Sequence, residues 1–532
     1  MAQSTAAIDH RAALPPSGGQ AEVIAFLSDP ATYGHGVEQV ERIDTHGAIV
    51  FLAGEMAYKI KRAVRLPYLD FSTLALRAEA CEREFSLNRR SAPEIYRETL
   101  PIVRGEDGKL HTSGRGKVVE WAVVMRRFKQ SQLFDVMARD GRLTDRMMAE
   151  LTDRIVGFHD LAEPLAPDPE GPSEAKRMTE IIAETVAELT DRPDLFPPDL
   201  VAAYDRAWQA QIASLSGALD RRRAEGWVRH CHGDLHLGNI CLHDGRPTLF
   251  DCLEFSDSLA TTDVLYDLAF LHMDLEHRHL GGFANLVLNR YHQARDSFDG
   301  LALLPLFLST RASIRAKVAA SAEAAQSASD AAESLRTAAR RYLEETCAYL
   351  EPAAPKLVAV GGLSGSGKTS LARRLAPLIG PAPGAIHLRS DVLRKRLHGV
   401  DELERLPPEA YSQDRHEEVY EGLLERARAV LAEGHGIVLD AVYSKPDGRA
   451  AIEDLAREAG VPFVGFWLSA PEETMVERVL ARRNDASDAT AAVVRSQLSE
   501  DTGEISWHQV PAAGSPDNVL ARARALLDAP SD

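Results

Sequence analysis

The sequence lacks the long apolar run that a membrane-spanning helix needs. Its most apolar stretches, such as LALLPLFLST, are interrupted within about ten residues, short of the roughly 18 that a span requires. Its cysteines include no CxxC pair, which argues against a disulfide framework and a structural zinc site and predicts free thiols. The first twenty residues carry no basic segment followed by an apolar core. These absences predict a cytoplasmic protein with no membrane segment.

The sequence also has fewer positively than negatively charged residues. The chain has 61 lysines and arginines against 79 aspartates and glutamates, a formal net charge of −18. Long nucleic acids require a basic face on their protein partners, so this balance argues against a nucleic-acid partner without excluding a local basic groove. At 532 residues the chain is several times the length of one ordinary domain, so two or three domains are expected.

Hydrophobic patterning predicts a domain boundary near residue 351. Before residue 130, GAIVFLAG and MAYKIKR form a predicted hairpin, a helix follows at 74–90, and VVEWAVVMRRF is a further strand. From residue 135 to 350 the pattern is mostly helical, and prolines then mark a linker. The predicted parts are a flexible tail at 1–20, a domain at 21–350 whose small lobe ends near 130, a linker at 351–356 and a domain at 357–532.

The C-terminal half alternates buried-strand runs with helical segments. The strand runs are LVAV, AIHL, GIVLD and FVGFWLS. Continuous apolar strands separated by helices predict a parallel sheet covered on both faces.

The first of these strands leads into GGLSGSGKTS, which satisfies the phosphate-binding pattern GxxxxGK[ST]. Glycines let successive N–H groups turn inward, and the following helix N-terminus adds partial positive charge. In this pattern the lysine reaches the β- and γ-phosphates and the threonine binds magnesium. ATP and Mg²⁺ are the predicted cofactors, held by Gly362, Ser364, Gly365, Ser366, Gly367, Lys368, Thr369 and Ser370.

Three later segments of this half carry candidate catalytic groups. Asp391 follows the second strand, where it is placed either to take the proton of an acceptor hydroxyl or to cap its own helix. Arg394, one helical turn on, could hold an anionic group. Asp440 ends the third strand, as expected of a carboxylate that orients the metal or water. The helix after FWLSAPEE carries arginines that either close over the transferring phosphoryl group or lie on the surface: Arg478, Arg482 and Arg483.

The runs GGLSGSGKTS, RSDVLRKRL, IVLDAVYS and VERVLARRNDASDAT resemble the P-loop kinase group that includes polynucleotide kinases, zeta toxins, chloramphenicol phosphotransferases and gluconate kinases. The resemblance implies transfer of the ATP γ-phosphate to a hydroxyl, with Asp391 as the base and Arg478 and Arg482 as lid arginines. It does not fix the acceptor, because this group phosphorylates sugars, nucleotides and antibiotics.

The N-terminal half carries a second candidate site in HGDLHLGNI and TLFDCLEF. A base aspartate, an asparagine five residues later and an aspartate on the next strand are the groups of a protein-kinase-like site. Asp234 would accept the hydroxyl proton, and Asn239 and Asp251 would supply the oxygen ligands that magnesium requires. A transition-metal cluster is the competing interpretation of the alternating residues His230, His232, Asp234 and His236.

Upstream strands supply the remaining groups of such a site. Lys59 occupies the strand position from which a lysine reaches the α- and β-phosphates, with Glu84 on the next helix as its partner. Lys61 lies on the same strand face and is the alternative. Met125 begins a hinge, up to residue 128, beside the adenine. There is no GxGxxG pattern here, so the nucleotide loop is predicted at the turn Thr45, His46 and Gly47.

HGDLHLGN, LFDCLEF and YDLAFL together resemble the aminoglycoside phosphotransferase-like family. The resemblance implies a kinase-like fold that phosphorylates small hydroxyl compounds, and Asp267 of YDLAFL is expected to brace the catalytic loop. The missing Gly-rich loop is a departure from the pattern. The whole chain also resembles uncharacterised bacterial proteins in which these two kinase types are fused.

The sequence thus predicts an α+β protein-kinase-like N-terminal domain followed by an α/β P-loop NTPase domain with a parallel sheet. Each half is expected to transfer the ATP γ-phosphate to the hydroxyl of a small molecule. Two alternatives remain: the N-terminal half as a regulatory nucleotide-binding module, and a P-loop half that acts on 5′-hydroxyl nucleic acid. The sequence does not indicate the oligomeric state.

Overall fold

A computed structural model describes residues 19–45, 47–66, 69–166, 171–324, 326, 329–483 and 485–527. The chain forms two compact units, one of Met1–Arg278 with Leu306–Leu350 and the other of His279–Pro305 with Glu351–Asp532. The segment His279–Pro305, which lies inside the domain predicted at 21–350, therefore belongs to the second unit. Residues 1–18 of the predicted tail lie outside the described residues.

The first unit begins with an antiparallel six-stranded sheet. The predicted hairpin is confirmed, since Ala48–Ala53 pairs with Met56–Lys61, and the predicted helix is present as Leu74–Asn88. That helix begins where the hydroxyl of Thr73 accepts the N–H of Leu76. The strand order of the sheet is Val40–Asp44, Ala48–Ala53, Met56–Lys61, Lys117–Arg126, Tyr96–Arg104 and Leu110–His111. The sequence predicted the second, third and fourth strands in this order and missed the other three.

The remainder of the first unit is mainly helical, as predicted. The helix Asp145–Leu161 is representative: its buried residues recur every three or four positions, so one face packs inward. The short strands of this unit are Val228–His230, Ile240–His243, Arg246–Leu249 and Thr261–Asp263, and Arg65–Leu66 pairs with Leu69–Asp70. The helices of the first unit are Ala21–Ser28, Leu74–Asn88, Phe134–Arg139, Asp145–Leu161, Glu174–Thr190, Pro198–Ala224, Asp257–Ala260, Val264–His277, Ser329–Leu350 and, from its third residue, Leu304–Ala324.

The second unit contains a five-stranded sheet in which every pairing is parallel. The four strands predicted from sequence are present, and the fifth, His508–Pro511, was missed because it is short and polar. The order is Ile386–Arg389, Ile437–Asp440, Leu357–Gly362, Phe463–Ser469 and His508–Pro511. The helices are Gly281–Arg295, Lys368–Leu375, Ser390–Leu397, Gln413–Ala432, Pro446–Ala459, Glu472–Ala481, Ala491–Leu498 and Pro516–Leu527.

The edge strand Ile386–Arg389 is covered by side-chain amides of the helix Gly281–Arg295. Oδ1 of Asn289 accepts the N–H of His387 at 2.6 Å, and Nε2 of Gln293 donates to the carbonyl of His387 at 3.1 Å. The two amide residues are four positions apart and so share a helix face. They take the place of a sixth strand, because an uncovered edge would leave these backbone groups unpaired.

No helix in the described parts of the chain combines the length and apolar character needed to span a membrane. All five cysteines are free thiols, as predicted.

Candidate functional site

In the first unit, the ammonium group of Lys59 lies between two carboxylates. Its Nζ donates to Oε1 of Glu84 at 2.8 Å and to Oδ1 of Asp251 at 2.6 Å. Burial acts to lower the pKa of Lys59, but the charges of Asp251 and Glu84 outweigh it and hold that pKa well above its usual value. A strand, a helix and a distant loop thus bring these three charges together.

Lys61 lies two residues further along the same strand and is more enclosed. Only 2% of its side chain is exposed, against 12% for Lys59. Its Nζ contacts Oε2 of Glu84 at 2.6 Å and also Oε1 of Glu254. Glu84 therefore serves both lysines: burial acts to raise the pKa of Glu84, but the two positive charges lower it to about 2.

Asp234 and Asn239 meet in the loop after the strand Val228–His230. Nδ2 of Asn239 donates to Oδ2 of Asp234 at 2.7 Å and to its backbone oxygen at 3.0 Å. Nε2 of His236 lies 3.4 Å from the same carboxylate. Burial acts to raise the pKa of Asp234, but the neighbouring His236 and His232 hold it below its usual value, so the carboxylate is ionised at neutral pH.

The backbone of this loop is held by Asp267, from the helix Val264–His277. Oδ1 of Asp267 accepts the N–H of Gly233 at 2.8 Å, and Oδ2 accepts the N–H of His232 at 3.2 Å. Nε2 of His159 lies 3.0 Å from the same Oδ2. Asp267 therefore has the bracing position expected from the sequence, and the contribution of His159 was missed because no motif marks it.

The segment that carries Asp251 is tied to the helix that carries Glu84. Asp251 has a left-handed backbone, with φ of 62°, and its N–H donates to the hydroxyl of Tyr96 at 3.2 Å. The next N–H, of Cys252, donates to Oδ1 of Asn88 at 2.8 Å, and Nδ2 of Asn88 donates to the backbone oxygen of Glu84. A non-glycine residue with this φ is uncommon and requires such support.

Within the described ranges, the alternating histidines do not form the transition-metal cluster that was the competing interpretation. The three metal-type ligands close to one another there are His159, Cys231 and Asp267. Asp267 is already engaged by two N–H groups, and Nε2 of His232 lies 3.0 Å from the carbonyl of Phe250. His232 is thus a support of the loop, through its contact with the carbonyl of Phe250.

The predicted adenine and loop contacts lie at the ends of strands in the six-stranded sheet. Met125 is buried near the end of the strand Lys117–Arg126, with 8% exposure. The predicted nucleotide loop is the turn in which the N–H of Thr45 donates to the carbonyl of Ala48 at 2.9 Å. His46 lies outside the described residues.

In the second unit, the glycines of the phosphate-binding motif are required by the backbone. Gly362, Gly365 and Gly367 have φ values of 132°, 84° and 101°. A Cβ at Gly362 would lie 2.4 Å from the backbone oxygen of Leu468, and one at Gly365 would lie 2.4 Å from that of Met475. Only glycine fits these positions.

Lys368 begins the helix that follows this loop and turns back over it. Its Nζ donates to the backbone oxygen of Leu363 at 3.1 Å. Burial lowers the pKa of Lys368; the carboxylates of Asp440 and Asp391 act in the opposite direction, and the charge of Arg482 lowers it again. The lysine therefore lies among the other groups predicted for this site.

Thr369 and Asp440 are in direct contact. The hydroxyl of Thr369 donates to Oδ2 of Asp440 at 2.6 Å, and Nε2 of His387 and Nε of Arg389 lie 3.5 and 3.7 Å from the same oxygen. Burial acts to raise the pKa of Asp440, but His387 and Arg389 lower it to about 2. A hydroxyl beside an ionised carboxylate is a donor set that suits magnesium.

Asp391 lies in the first turn of the helix Ser390–Leu397, whose cap position belongs to Arg389. Burial raises the pKa of Asp391 above its usual value; Arg389 opposes this shift and the charge of Asp440 adds to it. A carboxylate that is costly to keep ionised is a stronger proton acceptor.

The predicted lid arginines have different surroundings. Arg478 donates to the backbone oxygens of Ser366 at 3.2 Å and of Ala512 at 2.7 Å. Arg482 follows the helix Glu472–Ala481, and its Nη1 is buried with no hydrogen-bond partner among the residues that the structure describes. Arg483 is exposed.

Arg394, the candidate contact for an anionic group, lies against the chain that follows its own helix. Its guanidinium donates to the backbone oxygens of Ala410 at 2.8 Å and Arg415 at 3.4 Å and lies over the ring of Tyr411. The residue stabilises the chain after its own helix.

The three serines of the phosphate-binding loop differ in their contacts. The N–H of Ser364 donates to Oε1 of Gln497 at 2.8 Å, whereas the buried hydroxyl of Ser366 has no hydrogen-bond partner in the described part of the chain. Ser370 is exposed on the helix. Gln497 was missed from the sequence, because it lies 133 residues from Ser364 and belongs to no recognisable pattern.

Two family models match the chain, one in each half. Residues 69–301 match the Phosphotransferase enzyme family, and residues 357–500 match an AAA domain model. The expected fold classes are thereby confirmed: the N-terminal domain is kinase-like, and the C-terminal domain is a P-loop NTPase with a parallel sheet.

Individual proteins match over one or both halves. An uncharacterized protein of Mycobacterium tuberculosis strain H37Rv is 30% identical over 486 residues, which are 90% of this chain and 94% of that protein. The adenylyl-sulfate kinase of Myxococcus xanthus is 27% identical over 184 residues, 32% of this chain and 91% of that protein. The crystal structure of choline kinase from Cryptosporidium parvum aligns with 62% of this chain and 95% of that chain, at 10% identity and a TM-score of 0.38.

Proposed function

Since the chain belongs to the same two-domain family as the mycobacterial protein, we propose that it is a bifunctional ATP-dependent phosphotransferase. Each half would transfer the ATP γ-phosphate to the hydroxyl of a small molecule, an activity suited to a cytoplasmic location. One observation carries the proposal. In each unit, segments far apart in sequence bring together a lysine suited to bind phosphate, oxygen ligands suited to bind magnesium and an acidic residue suited to act as base.

In the N-terminal unit, Lys59 would hold the α- and β-phosphates while Glu84 orients its ammonium group. Lys59 is favoured over Lys61 because it is the more exposed and lies beside Asp251. Asn239 and Asp251 would hold Mg²⁺, which neutralises charge on the phosphates when bound. Asp234, ionised and fixed by Asn239, would accept the proton of the acceptor hydroxyl. Met125 would border the adenine.

In the C-terminal unit, backbone N–H groups of the loop 362–370 would surround the phosphates, and Lys368 would move from the carbonyl of Leu363 to a phosphate oxygen. Thr369 and Asp440 would hold Mg²⁺. Asp391 would take the acceptor proton, a role that its raised pKa supports.

The lid arginines would add positive charge to this second site. Arg478 already lies on the phosphate-binding loop, through its bond to the carbonyl of Ser366. Arg482 has a buried Nη1 with no protein partner among the described residues, which suits it to bind a phosphate oxygen.

The acceptors of the two sites are separate questions. The similarity to an adenylyl-sulfate kinase covers about one third of the chain, and it makes a small sulfated nucleotide one acceptor to test at the P-loop site. The acidic net charge argues against oligonucleotides as acceptors at that site, but the experiment below includes 5′-hydroxyl oligonucleotides.

The second candidate function is a single active P-loop kinase whose N-terminal half binds nucleotide as a regulatory module. One observation favours it. Nζ of Lys59 lies 2.6 Å from Oδ1 of Asp251, so the lysine expected to bind phosphate and the carboxylate expected to bind metal neutralise each other. Phosphoryl transfer at this site requires phosphate and metal to come between the two side chains, whereas a site that only binds nucleotide makes no such demand on the pair.

The test is product formation by the full chain. The purified protein is incubated with Mg-ATP and a polar metabolite extract, supplemented with adenylyl sulfate, aminoglycosides and 5′-hydroxyl oligonucleotides, and new phosphorylated species are identified by mass spectrometry. Asp234→Asn and Lys368→Ala are run in parallel. The proposal expects one product lost only in Asp234→Asn and another lost only in Lys368→Ala. Products that depend on Lys368 alone would support the single-kinase alternative.

A further inference from the structure

One peptide unit of the phosphate-binding loop, between Leu363 and Ser364, is held at both ends. Its carbonyl accepts from Nζ of Lys368 at 3.1 Å, and its N–H donates to Oε1 of Gln497 at 2.8 Å. Lys368 is the residue that reaches the β- and γ-phosphates in this motif. Gln497 therefore contacts the loop at the end where the terminal phosphate of a nucleotide is expected.

The helix that carries Gln497 is fixed independently of this contact. The helix Ala491–Leu498 begins at Thr490, whose hydroxyl accepts the N–H of Val493. Val494 is fully buried against Met475 and Val479. The backbone position of Gln497 thus rests on packing, which leaves its half-buried side chain able to change its hydrogen bonds without a change in the fold.

A neighbouring ion pair adds to this attachment. Nε of Arg495 lies 3.1 Å from Oε1 of Glu472, on the helix Glu472–Ala481. Both side chains are largely exposed, so the pair contributes little to stability, and the buried valine remains the main anchor.

The carboxamide has the chemistry to respond to a phosphate. Its neutral oxygen is a weaker acceptor for the N–H of Ser364 than an anionic phosphate oxygen would be. A carboxamide also carries two N–H donors, which rotation about its last torsion can present in place of the oxygen. A terminal phosphate could thus take over the N–H of Ser364 and receive a hydrogen bond from Gln497 as well.

We propose that Gln497 is the residue by which the P-loop site distinguishes a nucleoside triphosphate from a nucleoside diphosphate. Its carboxamide oxygen accepts the N–H of Ser364 at 2.8 Å; a bound triphosphate would take over that N–H and receive a hydrogen bond from the carboxamide nitrogen. A diphosphate does not reach this end of the loop and leaves the contact unchanged. The inference rests on the proposed function in one respect, that the loop binds a nucleotide.

Two substitutions separate this role from simple support of the helix. Gln497→Met keeps the length and apolar volume of the side chain but removes both acceptor and donor. Gln497→Glu keeps the shape but replaces the donors with a charged acceptor, which binds the N–H of Ser364 more strongly and repels a phosphate. Ser496→Ala is the matched control, because Ser496 is exposed on the same helix.

The experiment is a titration followed by hydrogen–deuterium exchange with mass spectrometry. Mg-ADP and Mg-AMP-PNP are added to the full chain, and protection is measured in peptides that cover 357–375 and 487–500. The readout is local, so binding elsewhere in the chain does not contribute. We expect wild type and Ser496→Ala to bind AMP-PNP more tightly than ADP. In Gln497→Met this preference falls by about tenfold, with ADP affinity unchanged, and in Gln497→Glu it falls further.

The possible failures are distinguishable. If both nucleotides protect the 357–375 peptide and Gln497→Met weakens them equally or not at all, the role of Gln497 is overturned while the nucleotide site stands. If wild type binds AMP-PNP and ADP with nearly equal affinity, the role of Gln497 is likewise overturned. If neither nucleotide protects that peptide in wild type, the proposed function of this unit fails, and the inference fails with it.

Discussion

Thr369 and Asp440, 71 residues apart along the chain, are joined by a hydrogen bond of 2.6 Å from hydroxyl to carboxylate. The strand and the helix that carry them meet at the carboxyl edge of the parallel sheet, the edge at which open α/β sheets bind ligands. The pair presents two oxygen donors that need little rearrangement to bind a divalent cation.

Thr369→Val tests this pair directly. The substitution keeps the shape of the side chain and removes the hydroxyl, so the product of the P-loop site should form about 100-fold more slowly and require more Mg²⁺. The product of the N-terminal site is the internal control and should be unaffected. A normal Mg²⁺ dependence for both products would show that Thr369 is not a metal ligand.

The two proposed bases should give different pH profiles. A base must be ionised to accept a proton; the pKa of Asp391 is raised by burial, and that of Asp234 is lowered by nearby histidines despite burial. As the pH falls, formation of the P-loop product should therefore decline first, at a pH where the N-terminal product still forms at full rate. The measurement is kcat/KM against pH for each product. Acid limbs that coincide, or that occur in reverse order, would contradict the assignment.

Substitutions of Lys59 and Lys61 should have different effects: the first should impair nucleotide binding and the second should mainly reduce stability. Lys61→Met leaves the buried carboxylates of Glu84 and Glu254 with one positive charge fewer, and should reduce the stability of the chain by about 3 kcal/mol. Lys59→Met should cost less stability and abolish nucleotide binding in the N-terminal unit. Thermal unfolding and nucleotide binding are measured on both variants. The opposite pattern, with binding lost only in a stable Lys61→Met, would make Lys61 the phosphate contact.

Most of the correct predictions came from local sequence patterns. The motif around Lys368 and the strands and helices beside it have short-range signatures, so the P-loop fold and four of the five parallel strands were predicted correctly. The contact between Lys59 and Asp251 joins segments 192 residues apart. The sequence assigned both residues to one site but paired Lys59 with Glu84, and it did not predict this contact.

Other features had no local signature. Gln497 contacts the phosphate-binding loop through a carboxamide on an otherwise ordinary helix, and nothing in the surrounding residues marks it. No local pattern marks Asn289 either. Its contact with the edge strand forms because the segment His279–Pro305 belongs to the second unit. Contacts of this kind depend on the tertiary fold, which periodicity does not encode.

Asn289→Ala tests the side-chain cover of the edge strand. The substitution leaves the buried N–H of His387 without its acceptor and should destabilise the second unit by about 1–3 kcal/mol. Amide exchange in the strand Ile386–Arg389 should accelerate accordingly. Arg290→Gln, at a half-exposed position on the same helix, is the control and should change exchange little. Unchanged protection in Asn289→Ala would mean that water replaces the lost bond at no cost.

Nucleotide stoichiometry tests the central claim, that one chain carries two ATP sites. Equilibrium dialysis of the full chain with Mg-AMP-PNP should give two molecules bound per chain, falling to one in Lys59→Met, one in Lys368→Ala and none in the double variant. A wild type that binds one molecule, lost in Lys368→Ala and retained in Lys59→Met, would contradict the account and leave the P-loop site as the sole nucleotide site of the protein.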